Sequence, residues 1–406
     1  MTFAPVERAD WLWAPPGLDR VPHGSVTTPA GYEAAGVACG LKPSGALDVG
    51  VLVSRRRAVS ALVDTRNALP SAPVLRNRDC DPAGFQAVVV NAGTANAATG
   101  SPGKDDAAWM AQRTAAHLGL AAHEVAVCST GTIGDRLDRD RVGGGIDTAA
   151  GTVTGDGGEA FSQAIMTTDA FPKAGAFRLP LGGRDVHIGI AAKGAGMIAP
   201  NMGTMLAFVT TDAAVDAAGL AGITSAAAHA AFNRVTVDGQ TSPSDTLLVL
   251  ANGDGTPLAG PDLATLSRAI TAVCRWAGLQ MVRDGEGATH AVRLLVMGAR
   301  DPDEAAAVAR HIGNSPLVKS AVFGRDPNWG RVSQAVGQAL AGRPGDACDP
   351  VLHFDGLPLG DPGVPAVMER AEYELEVALG RGDATAELFF SDLTHAYVTL
   401  NADYHT

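Results

Sequence analysis

Aromatic residues make up only 5% of this 406-residue chain, and charged residues only 18%. Positive charge is the scarcer sign: 31 Lys and Arg against 43 Asp and Glu leave a formal net charge of −12. That balance argues against nucleic acid and against anionic membranes as partners. The single basic cluster, Arg55-Arg56-Arg57, reads as a solvated turn. Cysteine is sparse as well. Cys39, Cys80, Cys128, Cys274 and Cys348 form no C-x-x-C pair, so neither a disulfide framework nor a zinc site is expected. The ten histidines show no metal-like spacing, and no metal is expected. No apolar run approaches the ~18 residues that span a bilayer. The first twenty residues carry charge throughout and lack the apolar segment of a secretory signal. A cytoplasmic protein with reduced thiols is the expectation. Gly143-Gly144-Gly145 and Gly253-Asp254-Gly255 lack phosphate-loop spacing and read as turns. Asp238-Gly239-Gln240-Thr241 lacks the ligand spacing of a calcium loop. No bound cofactor is expected.

What is abundant is small and apolar. Hydrophobic residues reach 46%, and 49 glycines stand well above the usual share of about 7%. The length allows two or three average domains or one large one. Strands are expected at 47–54 and 58–65, as an antiparallel pair across the arginine turn, and at 86–91 and 124–128. Further strands are expected at 184–192, 205–211, 234–237, 246–251, 291–297, 315–323 and 351–354. A terminal hairpin, 373–379 with 385–390, would turn through Gly380-Arg381-Gly382-Asp383. Helices are expected at 105–118, 159–165, 215–230, 262–282, 303–311 and 329–340. Residues 1–25, 64–85 and 135–156 read as irregular or loop. Strands and helices interleave without strict alternation, which makes the fold class α+β, in more than one layer.

The chain is organised around residues 193–213, KGAGMIAPNMGTMLAFVTTDA. Gly203 offers a sterically open carbonyl, and Thr204 beside it carries a β-hydroxyl able to attack that carbonyl. Hydrolysis of the resulting ester would cut the chain and leave Thr204 with a free α-amine. Such an amine titrates at about 7.7–8.0, near the best range for a general base. Thr204 would then be nucleophile and base in one residue. Read in isolation, the same residues are also a strand entered through a Pro-Asn-Met-Gly turn. The strand ending at Ser129-Thr130-Gly131 offers a hydroxyl and an open backbone N–H, the donors an oxyanion hole requires. Ser-Thr-Gly is equally a common turn.

The segment resembles the signature of the ornithine acetyltransferase family, the bifunctional glutamate N-acetyltransferases of arginine biosynthesis. In that family a KG-x-GM-x-x-P-N-MATML run holds a self-cleavage site, and here Gly203 stands where alanine is usual. Family-like blocks follow in the family's order from about residue 25 to the last residue. They are GYEAAGVACGLKPSG (31–45), CSTGTIG (128–134), IMTTDAFPK (165–173), TVDGQTSPSDT (236–246), VRDGEGAT (282–289), DPNWGRV (326–332) and DLTHAYVTLNADYHT (392–406). Gln240 stands where the family tends to have an acid, and Pro243 is a second departure.

The resemblance implies mixed sheets with flanking helices in two interlocked domains, with an N-terminal-nucleophile type of site. It implies self-cleavage into an alpha chain, 1–203, and a beta chain, 204–406, assembling as a heterotetramer. Thr204, with Thr130 and Gly131 holding the oxyanion, would be catalytic. Thr167 (or its neighbour Thr168), Lys193, Thr204, Glu286, Asn401 and Thr406 would line the amino-acid pocket, which requires a buried, ordered C-terminus. The implied reaction is ping-pong acetyl transfer from N-acetyl-L-ornithine to L-glutamate through an acetyl-threonine, with acetyl-CoA a further donor in a bifunctional member. Two other readings use the same residues: an N-acyl amino acid transferase of specialised metabolism, and an N-acyl amino acid hydrolase. A third is an uncleaved amino-acid-binding protein.

Overall fold

Strands built from Val, Leu and Ala bury both faces here, and such strands need cover on each side. The computed structural model describes residues 11–199, 205–345 and 348–403. In chain order the first elements are β1 (Asp19–Val21), β2 (Tyr32–Val37), β3 (Val49–Ser54), β4 (Val59–Asp64) and α1 (Ala72–Arg78). Then come β5 (Ala87–Thr94), α2 (Gly100–Leu118), β6 (Val125–Thr132), α3 (Arg139–Gly151), α4 (Gly158–Ala164), β7 (Lys173–Leu181) and β8 (Arg184–Lys193). The chain continues through β9 (Leu206–Thr211), α5 (Ala217–Ala230), β10 (Val235–Thr236), β11 (Thr246–Ala251), α6 (Gly260–Arg283), β12 (Ala291–Ala299) and α7 (Pro302–Gly313). It closes with α8 (Pro316–Phe323), α9 (Trp329–Leu340), β13 (Val351–Phe354), β14 (Leu357–Pro358), α10 (Val364–Met368), β15 (Glu372–Ala378), β16 (Ala384–Ser391) and α11 (His395–Asp403).

The strands form three mixed sheets, ordered β1-β7-β8-β9-β11-β4, β10-β16-β12-β15-β13-β14 and β2-β3-β5-β6. The first and third stack face to face. Leu52, Val88, Val90 and Ala126 of the smaller sheet pack on Ala191, Leu206, Phe208, Leu248 and Leu250 of the larger. The outer face of the smaller sheet is covered by Met110 and Ala111 of α2 and by Val142 and Ile146 of α3. The outer face of the larger is covered by Leu220 and Ala227 of α5 and by Leu266, Ile270, Val273 and Ala277 of α6. Helix, sheet, sheet and helix therefore lie in four layers. The remaining sheet carries α7 and α9 on Val308, Ile312, Val332 and Val336. A smaller cluster of Trp11, Ile198, Val235, Leu279 and Phe389 joins it to the rest. Among the described residues no helix is long and apolar enough to cross a membrane.

Several expectations are corrected. β3 and β4 do not pair. β3 is buried at every position and sits between β2 and β5, whereas β4 joins β11 in the other sheet. The arginine turn thus carries the chain from one sheet to the next. β15 and β16 are not a hairpin either, because β12 lies between them, parallel to β15 and antiparallel to β16.

Residues 315–323, expected as a strand, form α8. Ser315 caps it by accepting the Val318 N–H, and Pro316 occupies the first turn, where a missing N–H costs nothing. The supposed loop 135–156 contains α3, capped by Asp138, whose side chain accepts the Arg141 N–H at 3.1 Å. Its Val142, Ile146 and Ala149 recur at helical spacing, so Gly143-Gly144-Gly145 lies in a helix and is not a turn. The stretch 64–85 holds α1, and β1 interrupts the irregular lead-in. β6 does not stop at Ser129 but runs on through Thr132.

Candidate active site

Chain segments far apart in sequence end at one pocket, set where β6 and β8 finish and β9 and β11 begin. Thr130 and Gly131 of β6, Thr167 and Thr168 after α4, and Lys193 at the end of β8 line it. Glu286, beyond the end of α6, and Asn401 of α11 line it too. Gly203, Thr204 and Thr406 lie outside the described residues. On either side of the first two, Ala199 and Met205 are buried. The Met205 carbonyl accepts the Thr246 N–H at 2.9 Å, which fixes the entry to β9 against β11.

Inside the β5–β6 ladder, Thr130 and Gly131 stand opposite Ala92 and Gly93. Gly131 has φ +126°, and a Cβ there would lie 2.3 Å from the Gly93 carbonyl carbon. Neither the conformation nor the space admits a side chain. The Thr130 hydroxyl oxygen accepts a hydrogen bond from Lys193 Nζ at 3.1 Å.

Behind the pocket lies a buried charge cluster. Lys173 Nζ is 2.6 Å from Asp169 Oδ1 and 2.5 Å from Asp284 Oδ2, with its side chain fully buried. Asp169 also accepts the Gly194 N–H at 2.7 Å and the Thr167 N–H at 2.9 Å. It thereby ties the Lys193 turn to the Thr167 turn. Burial works against the charge on Asp169, but Lys173 and Lys193 outweigh it and hold the carboxyl below its ordinary range. Burial pushes the Lys193 ammonium down, opposed by Asp169. Burial likewise lowers Lys42, to about 8.

Glu286 donates its N–H to the Ala195 carbonyl at 2.9 Å, and its carboxylate lies against Gly196, where a Cβ would clash at 2.3 Å. Asn401 Nδ2 donates to Glu286 Oε2 at 2.7 Å, which brings α11 to the pocket. The expectation of a buried C-terminus is corrected for its described part. α11 has no buried residue; Tyr397 and Leu400 are half-buried, and Asn401 is exposed. A helix that follows one buried strand and meets the protein along one edge needs little burial to deliver two side chains.

Sequence reasoning missed Asp169, Lys173 and Asp284 as a unit, although each lies in a block quoted above. A charge set among apolar residues, as in IMTTDAFPK, was the available signal. It also missed Asp238 and Tyr397, both on the pocket wall. The Asp238 carboxylate accepts the N–H groups of Met197 and Ile198, and Tyr397 donates its hydroxyl to it at 3.4 Å. Neither oxygen of the buried Asp245 carboxyl has a hydrogen-bond partner among the described residues. Burial drives that carboxyl well above its ordinary range, against the nearby Met205 N–H and Lys193. Among the described residues no group of three His, Cys, Asp or Glu is arranged to hold a metal ion.

A profile of the ArgJ family matches residues 33–406. The arginine biosynthesis bifunctional protein ArgJ of Synechocystis sp. is 40% identical over 422 residues, covering 98% of this chain and 100% of that protein. The protein of the same name from Symbiobacterium thermophilum is 44% identical over 399 residues, covering 94% of this chain and 99% of its own. Among solved structures, the ornithine acetyltransferase of Mycobacterium tuberculosis complexed with ornithine is 40% identical. It covers 45% of this chain and 98% of its own, with a TM-score of 0.43.

Proposed function

The chain belongs to the ArgJ family, and from that premise we propose that it transfers acetyl groups between amino acids in arginine biosynthesis. Thr204, freed at its amine by scission after Gly203, attacks the acetyl carbonyl of N-acetyl-L-ornithine. The Thr204 amine takes the hydroxyl proton and returns it to the departing ornithine nitrogen, leaving an acetyl ester on Thr204. L-glutamate then enters, and its amine takes the acetyl group by the same steps in reverse order. The Thr130 hydroxyl and the Gly131 N–H hold the developing oxyanion. Thr167, Lys193, Glu286, Asn401 and Thr406 grip the amino-acid carrier, with Lys193 suited to a carboxylate and Glu286 to an ammonium. Acetyl-CoA serves as a second donor for glutamate in the bifunctional form of this reaction.

One observation carries the reading. Thr130, Gly131, Thr167, Lys193, Glu286 and Asn401, from widely separated parts of the sequence, line a single pocket beside the start of β9. Self-cleavage into 1–203 and 204–406 is compatible with the sheet order. β8 pairs with β9, and β11 with β4, so the two strands of the second proposed chain lie between strands of the first in one sheet. The cut halves would stay joined by those ladders, and heterotetramer assembly would pair two such units.

The test combines mass and turnover. Intact-mass spectrometry should find two chains of 203 residues each, since the cut bisects the 406. The same preparation, given labelled N-acetylornithine, should release ornithine and label glutamate only when glutamate is supplied. Label released as free acetate regardless of glutamate would mean a hydrolase. Full activity in uncut Thr204→Ala protein would refute the nucleophile.

A further inference from the structure

Lys193 is the buried cation of the pocket. Among the described residues its hydrogen-bond partner is neither carboxylate nor carbonyl but the Thr130 hydroxyl, at 3.1 Å. Of the acids that act on Lys193, Asp169 and Glu286 are otherwise engaged, and Asp245 makes no hydrogen bond among the described residues. Asp169 Oδ1 is held by Lys173 and the Gly194 N–H, and Glu286 Oε2 by Asn401. Asp245 and Glu286 reach Lys193 only through longer-range charge, as do the cations Lys42 and Lys173.

A hydroxyl has one proton and two acceptor sites. An ammonium that fills an acceptor site turns the proton away from itself and makes it a stronger donor, because hydrogen bonds in a chain polarise one another. We propose that Lys193 is a positioning residue for transition-state stabilisation, orienting and polarising the Thr130 hydroxyl so that its proton is aimed at the oxyanion. This deepens the reading of Thr130 given above and rests on it. It differs from carboxylate binding in when the energy appears. A charge that grips the substrate carboxylate acts equally on the bound substrate and the transition state, whereas a polarised donor acts as the oxyanion forms.

Steady-state transfer from N-acetylornithine to glutamate, taken per mole of cut chain, separates the two roles. Lys193→Gln keeps a donor for the Thr130 oxygen but removes the charge. It should lower kcat about tenfold or more, short of the 10²–10³ lost with a whole oxyanion donor, in addition to any rise in KM from a lost grip on the substrate carboxylate. Thr130→Val should show that full loss, and adding Lys193→Gln to it should cost nothing further. Lys193→Arg, which keeps charge and donor, should recover part of kcat, and it carries the test if the glutamine variant is not cut. A raised KM with unchanged kcat in either Lys193 variant, or multiplicative losses in the double variant, would overturn the proposal. Wild-type turnover in Thr130→Val would instead overturn the oxyanion reading beneath it.

Discussion

The Asp238 carboxylate accepts the Met197 N–H at 2.6 Å, and Met197 is a non-glycine residue held at φ +54°. Asp238 also accepts the Ile198 N–H at 2.9 Å. One carboxylate therefore clamps a left-handed turn a few residues before Gly203. Left-handed backbone at such a residue costs roughly 1–3 kcal/mol and persists only where its surroundings impose it. Asp238→Ala should let the turn relax and slow chain scission about tenfold or more, since small misplacements of reacting groups are expensive. Intact-mass sampling after synthesis measures this, and a wild-type rate of scission would remove Asp238 from the account.

Lys173 answers two buried carboxylates at once. Lys173→Met should destabilise the fold by about 3–5 kcal/mol, because Asp169 and Asp284 would be left without their cation. Urea unfolding at neutral pH reads the loss. Asp169 titrates below its ordinary range in the folded chain. Its contribution is therefore present above the unfolded carboxylate pKa of about 3.9 and lost as pH falls toward the folded value. Lys173→Met should flatten that acid dependence.

Gly131→Ala tests the tight approach of β6 to β5. The added methyl would stand 2.3 Å from the Gly93 carbonyl carbon, at a φ of +126°. The strand must shift, and the donors it carries shift with it. Turnover should fall about 10²–10³-fold, the cost of losing an oxyanion donor. Retained turnover with a lowered melting temperature alone would limit Gly131 to packing.

Lys319 predicts a slope in the alkaline range. Its ammonium donates to the Ser391 carbonyl, and burial lowers it to about 7, opposed by Asp392 and Asp238. Between about pH 7 and the unfolded lysine value of about 10.4, the unfolded chain binds the extra proton. Stability should therefore rise with pH across that window, by up to about 1.4 kcal/mol per pH unit. Lys319→Met should lack this rise, which pH-resolved denaturation of both proteins would reveal.

Helices with one apolar face were legible from spacing alone, as α6 and α7 demonstrate. So were strands built on a short apolar run, such as β5, β9 and β11. Pairing was not. Leu47–Thr65 reads as two strands about a turn whether those strands bond to each other or enter stacked sheets. The apolar run at Ser315–Phe323 suits strand or helix until Ser315 and Pro316 are weighed as a cap. Lys173, Asp169 and Asp284 were invisible as a unit, because no local rule joins charges 111 residues apart.

By itself the sequence determined the family and the chemistry available at Gly203-Thr204, since a hydroxyl or a missing Cβ is the same wherever the chain carries it. The roster Thr130, Gly131, Thr167, Lys193, Glu286 and Asn401 is what the resemblance to that family implies, motif by motif. Only the tertiary structure decided that those side chains share one pocket, that Lys193 meets Thr130 and that Asp238 grips the turn before Gly203. Such contacts join distant strands and loops. Their partners are set by which sheet each strand enters and in what register, and that choice rests on burying apolar faces across the whole molecule.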